Sequence, residues 1–126
     1  MADRWDASAA RLLDLHARLL GGEHEALGEL WGLMWRPLCR RLRRRFSAAH
    51  AGLVEEVTDD AILAYGACPR VFDSVRQVPL DDFVYGIARR TLRDRLRGDQ
   101  RRSEREKQAA AVFNAALAAQ QRSLIA

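Results

Sequence analysis

From Leu27 to Phe46 the large apolar residues recur at steps of three and four: Leu27, Leu30, Trp31, Met34, Leu38, Leu42 and Phe46. This is the period of an α-helix, and it gathers those side chains into one stripe while Arg36, Arg40, Arg43 and Arg44 fall mostly outside it. No segment shows the sustained apolar–polar alternation of a half-buried strand, and with 8 glycines and 3 prolines the chain has few helix breakers. The expected fold class is therefore all-α, a compact bundle of about four to five helices. A chain of 126 residues, 48% hydrophobic, can bury a single core, and no second domain is expected.

Around that central stripe the other segments take their places. Trp5, Leu12, Leu13, His16, Leu19 and Leu20 can share a helix face that Gly21-Gly22 ends. Pro37 removes a backbone donor in mid-helix and is expected to kink or restart the second helix. A third helix is expected from about Gly52 to Tyr65, then a loop from Pro69 to Pro79, with Asp81 or Asp82 near the start of the next helix. Gly98-Asp99-Gln100 marks an expected break or weak point, although the arginines around it can carry the helix through. The Ala-rich stretch Glu104 to Leu124 has high helix propensity and few large apolar groups, which suits a docked or fraying terminal helix or the start of a linker. The domain reading is thus a helical domain over residues 1–102 and a helical tail or linker over 103–126.

The segment Pro79 to Arg102 carries the strongest functional signal. Phe83, Ile87, Leu92 and Leu96 fall toward one side of a helix, while Arg89, Arg90, Arg93, Arg97, Arg101 and Arg102 spread over the rest. Guanidinium groups suit phosphate oxygens and base edges because their planar donors engage two acceptors together. An arginine run alone equally describes a solvated face, and so does the second basic cluster at residues 36–45. Phe83 and Tyr85, two positions apart, cannot face the same way; Phe83 is placed in the core, and Tyr85 is open to stacking on an unpaired base. A net charge of +4 favours a polyanionic partner without specifying one.

Other chemistry finds little footing. Glu55, Glu56, Asp59 and Asp60 form an acidic cluster, but no Glu-x-x-His pair accompanies it, and His16, His24 and His50 are not spaced to complete a metal site. The cluster reads as a solvated face or a protein-docking face. No phosphate-binding loop, nucleophile elbow or histidine-based triad is visible, so binding rather than catalysis is expected, with no cofactor. Cys39 and Cys68 lie far apart, which suits reduced thiols in a cytoplasmic setting better than a disulfide. No apolar run approaches the roughly 20 residues of a membrane span, and no signal-peptide block opens the chain.

Taken in order, the pieces resemble conserved region 2 of bacterial sigma factors of the extracytoplasmic-function (ECF) class. Arg11-Leu-Leu through Trp31 looks like the family's opening helix, polar break and second helix, and Trp35 to Phe46 like its arginine-rich continuation. Glu56-Val-Thr-Asp-Asp-Ala-Ile-Leu-Ala-Tyr65 is similar to the acidic-then-apolar helix that docks on RNA polymerase, and Phe83-Val-Tyr-Gly-Ile-Ala-Arg89 to the helix of the promoter-melting segment. Asp94 and Arg97 stand where the family usually has an aspartate and an arginine. Phe83 replaces a usual tryptophan, Arg90 a usual asparagine, and Gly86 a polar helix former.

The resemblance covers roughly residues 11 to 102. It implies a sigma region 2-like bundle that binds core RNA polymerase and the minus-ten promoter element and holds the non-template strand as the duplex opens. It places Glu56, Asp59, Asp60, Ile62 and Leu63 against the clamp helices of the polymerase's largest subunit. Promoter DNA then falls to Tyr85, Arg89, Arg90, Arg93, Arg97, Arg101 and Arg102. In the loop, Asp73, Ser74, Arg76 and Gln77 offer donors and acceptors for a captured base edge, an ordinary polar loop being the alternative. An anti-sigma factor is a further partner that the resemblance brings with it. No helix-turn-helix domain for the minus-thirty-five element fits after Arg102, so the expectation is a fragment or a shortened sigma-like regulator. A different class of reading is a helical interaction module or duplex-DNA-binding regulator that keeps this fold without promoter melting.

Overall fold

The computed structural model describes residues 2–74 and 78–125, and side chains within 9–74 and 78–124. It contains α1 (Ala2–Leu20), α2 (Glu25–Arg45), α3 (Ala51–Ala67), α4 (Arg70–Ser74) and α5 (Leu80–Ile125), with no strand among the described residues. Five helices and an all-α class match the expectation. Two compact units divide the chain, Met1–Leu92 and Arg93–Ala126.

In the first unit α2 is the central element, packed against both α1 and α3. Its stripe buries Ala26, Leu30, Met34, Leu38, Cys39 and Leu42, which meet Leu12, Leu15 and Leu19 of α1 and Val54, Val57, Ala61 and Ile62 of α3 in a shared core. Each large aliphatic chain so buried contributes about 1.5–3 kcal/mol of transfer free energy. The first part of α5 adds Leu80, Val84, Ala88 and Leu92, a ridge at four-residue steps. Phe83 and Ile87 flank that ridge half-buried.

Several local expectations change. In α1 the buried face is Leu12, Leu15, His16 and Leu19, and Leu13 is exposed, because a one-residue step turns a helix by about 100°. Trp5 has no described side chain. Pro37 does not interrupt α2. Pro37 and Leu33, whose carbonyl it leaves without a donor, are both exposed, so water can serve that carbonyl. The expected loop from Pro69 contains the short helix α4, and α5 passes through Gly98-Asp99-Gln100 without a break. One glycine costs a helix about 1 kcal/mol, which the surrounding arginines, alanines and glutamates offset.

The turn after α1 is a Schellman motif. Gly22 adopts φ 96°, its N–H donates to the Leu19 carbonyl at 3.1 Å, and the Glu23 N–H reaches back to the Arg18 carbonyl at 3.0 Å. The Arg18 and Glu23 side chains close the same turn with a 2.7 Å ion pair. At the start of α3, His50 serves as N-cap, its Nδ1 accepting from the Leu53 N–H at 3.1 Å. Gly66 lets α3 lie close to Leu27 of α2, since a Cβ at Gly66 would stand 2.6 Å from the Leu27 Cδ2.

The second unit is helical throughout its described length, and every residue from Arg97 to Leu124 is exposed, Val112, Phe113, Leu117 and Leu124 included. Its helicity therefore rests on local propensity rather than on a buried face.

Two predictions follow from this packing. Gly22→Ala forces an L-residue into left-handed backbone and lowers stability by about 1 kcal/mol, read as an earlier urea midpoint with an unchanged slope. Cys39 is buried, its Sγ donating to Thr58 Oγ1 at 3.4 Å, and burial pushes its thiol pKa up, whereas Cys68 is exposed. A chromogenic disulfide reagent at mildly alkaline pH should label Cys68 promptly in the folded protein and Cys39 only when denaturant is added.

Candidate nucleic-acid interface

The short helix α4 is anchored by a buried histidine. His16 of α1 has no exposed surface, and an imidazole in that position needs partners for both nitrogens. Its Nδ1 lies 2.5 Å from the Tyr65 hydroxyl of α3, and its Nε2 lies 3.0 Å from Asp73 Oδ1 of α4. The Asp73 carboxylate can only accept, so the Nε2 N–H donates to it, and the Tyr65 hydroxyl pairs with Nδ1. Burial, with a smaller contribution from Asp73, pushes the Tyr65 hydroxyl pKa well up, which keeps it a donor. Phe72 meets the His16 ring edge-on at 4.9 Å and Phe83 at 5.4 Å, so an aromatic chain runs from α1 through α4 to the first turn of α5.

Asp73 therefore anchors α4 and is not simply a free base-edge acceptor. Its side chain is 35% exposed and holds His16. Ser74 is exposed, and its Oγ donates to the Val71 carbonyl at 2.7 Å. Arg76 and Gln77, the other two loop residues expected to read a base, lie outside the described residues.

Tyr85 is half-buried and points away from the Phe72–Phe83 contact, as its two-residue step from Phe83 requires. The guanidinium of Arg41, from α2, lies over the Tyr85 ring with Cζ 3.8 Å from the centroid. Arg41 Nη1 also donates to Asp82 Oδ1 at 2.8 Å. Arg41 escapes a reading of α2 alone, where it is one arginine among several flanking the stripe, and its acid is supplied by a distant part of the chain. Arg89, one turn beyond Tyr85, and Arg90 are exposed.

Within the second unit Arg93, Arg97, Arg101 and Arg102 are exposed. Arg93, Arg97 and Arg101 recur every four residues and line one side of the helix, and Arg102 forms a loose ion pair with Asp99 at 3.7 Å.

The expected docking residues of α3 separate into two groups. Ile62 is fully buried, so no outside partner reaches it in the folded chain. Asp59 accepts a 2.7 Å hydrogen bond from Trp35 Nε1 and joins α3 to α2. Glu56, Asp60 and Leu63 are exposed, Leu63 at 53%.

Among the described residues no group of three or more His, Cys, Asp or Glu side chains could hold a metal ion, and no helix is long and apolar enough to cross a membrane. Compared with protein-family models, curated proteins and solved structures, the chain matches none.

The anchor has a measurable consequence. Tyr65→Phe removes the hydroxyl and leaves the buried Nδ1 of His16 unpaired, which should lower unfolding free energy by about 1–3 kcal/mol in urea denaturation.

Proposed function

We propose that this chain is a sigma region 2-like domain of the ECF class that binds core RNA polymerase and holds the non-template strand of the minus-ten element. One observation carries the DNA side of this reading: Tyr85 sits half-buried at the surface of α5 with Arg41 over its ring and Arg89 one helical turn away. An aromatic ring beside cations suits an unpaired nucleotide, the ring stacking with the base and an exposed guanidinium such as that of Arg89 meeting the phosphate. The order of the sequence pieces, from the arginine-rich α2 through the acidic α3 to the basic α5, supports the same reading.

The mechanism is binding. Unpairing a base costs a few kcal/mol, and stacking at roughly 1–3 kcal/mol per base, joined by phosphate contacts, offsets that cost and holds the strand open. Arg93, Arg97, Arg101 and Arg102 offer the phosphate contacts of the second unit. On α3, Asp60 and Leu63, with Glu56 beside them, make an acidic and apolar rim suited to the basic and apolar surface of a helical partner. The polymerase supplies the chemistry.

Two measurements test this. Wild-type protein should co-purify with core polymerase, and Asp60→Lys combined with Leu63→Ala should weaken that association while helicity is unchanged. Unchanged co-purification by the double variant removes α3 as the docking face. Wild-type protein should also prefer single-stranded minus-ten oligonucleotides to their duplexes. Duplex preference, or no DNA binding, transfers the fold to the interaction-module or duplex-binding class. Arg93→Ala and Arg97→Ala should each weaken binding about equally across sequences and flatten the salt dependence by roughly one unit per lost phosphate contact.

A further inference from the structure

Among the described arginines of the 36–45 cluster, Arg41 stands apart. Arg36, Arg40, Arg43, Arg44 and Arg45 are exposed, while Arg41 is half-buried, stacked on Tyr85 and fixed by Asp82. An ordinary solvated arginine loses rotamer freedom when held in one place, so a held one has a compensating contact. Here two contacts hold it, and they fix the guanidinium against a ring rather than against another acid alone.

We propose that Arg41 and Tyr85 form a single stacking unit, kept in register by Asp82, that receives one unpaired base of a single-stranded nucleic acid. The proposal rests on the nucleic-acid reading above and adds to it a residue from α2 and a division of labour. A guanidinium is weakly hydrated above and below its plane and stacks on aromatic and base rings, which an ammonium does not do. A base joining this pair extends a stack that already exists, so little side-chain ordering remains to be done on binding. Asp82 holds the guanidinium by one edge, and the remaining donors of the fork stay available to the nucleotide's own acceptors. Arg41 is thus a positioning and stacking residue, distinct from the exposed arginines that act through charge.

Charge and stacking separate in one experiment. Short single-stranded deoxyoligonucleotides carrying 2-aminopurine at successive positions are titrated with the protein at several salt concentrations. Wild-type protein should change the fluorescence of the analogue at one position more than at the others. Arg41→Ala and Tyr85→Ala should each abolish that position-specific change and weaken binding about tenfold. Arg41→Lys keeps the charge, so it should keep the salt dependence yet lose the position-specific change. Asp82→Ala releases the guanidinium and removes a negative charge, so the fluorescence change should shrink without any flattening of the salt dependence.

If Arg41→Lys behaves as wild type, or if Tyr85→Ala loses the signal and Arg41→Ala keeps it, the stacking role of Arg41 is overturned and the nucleic-acid reading stands. If the wild-type protein binds no single strand, that reading falls and this proposal with it. Circular dichroism of each variant shows that the helices are intact, and Arg41→Lys, which preserves the charge and the aliphatic stem of the side chain, carries the test should Arg41→Ala unfold.

Discussion

A buried imidazole with two polar nitrogens has few stable environments, and His16 occupies one of them. Its ring needs a donor or acceptor at each end and apolar packing on its faces and edges, and Tyr65, Asp73 and Phe72 supply these from two other helices. Three consequences follow from that single constraint. α1, α3 and α4 are tied at one point; α4, too short to be stable alone, gains a fixed position; and Phe72, placed by the same contact, meets Phe83 and so orients the start of α5. The half-buried Tyr85, two residues on, takes its direction from that start. The surface proposed to receive a base is in this sense a product of the core beneath it.

α2 does two jobs because its residues divide by helical angle. One stripe fills the middle of the first unit, and the arginines fall around the remaining circumference. Arg41 lies at the boundary between the two regions, next to Leu42 and three residues from Leu38, close enough to the core to meet α5 and close enough to solvent to keep its charge hydrated. The other α2 arginines act from open surface, where ion pairs such as Arg43 with Glu55 at 3.5 Å contribute little.

The helical class, the α2 stripe and the outward arginines were legible in the sequence because each depends only on short-range periodicity. The α2–α3 link from Trp35 to Asp59 was not, because a carboxylate on a helix looks the same whether it faces water or an indole N–H from another element. The anchoring role of Asp73 was hidden for the same reason: its partner His16 lies 57 residues away, and nothing local distinguishes an anchor from a base-edge acceptor. Arg41 with Asp82, 41 residues apart, is a third case. The helix α4 and the continuity of α5 through Gly98 were obscured by breaker residues whose local cost is smaller than what their surroundings supply.

The two units set arginine to different physical work. In the first, Arg41 lies on a ring and beside a carboxylate, so part of its stacking arrangement exists before any ligand arrives. In the second, the arginines stand on a helix whose residues from Arg97 to Leu124 are all exposed and whose order depends on propensity. A preorganised guanidinium can discriminate between ligand shapes, because a misplaced ring loses contact that cannot be regained by adjustment. An exposed row on a propensity-stabilised helix discriminates little, and it attracts a polyanion over a Debye length while adapting to its course. If a nucleic acid is the ligand, selectivity belongs to the Arg41–Tyr85 neighbourhood and affinity to the row from Arg93 to Arg102, since prearranged stacking is found in the first place and accessible charge in the second.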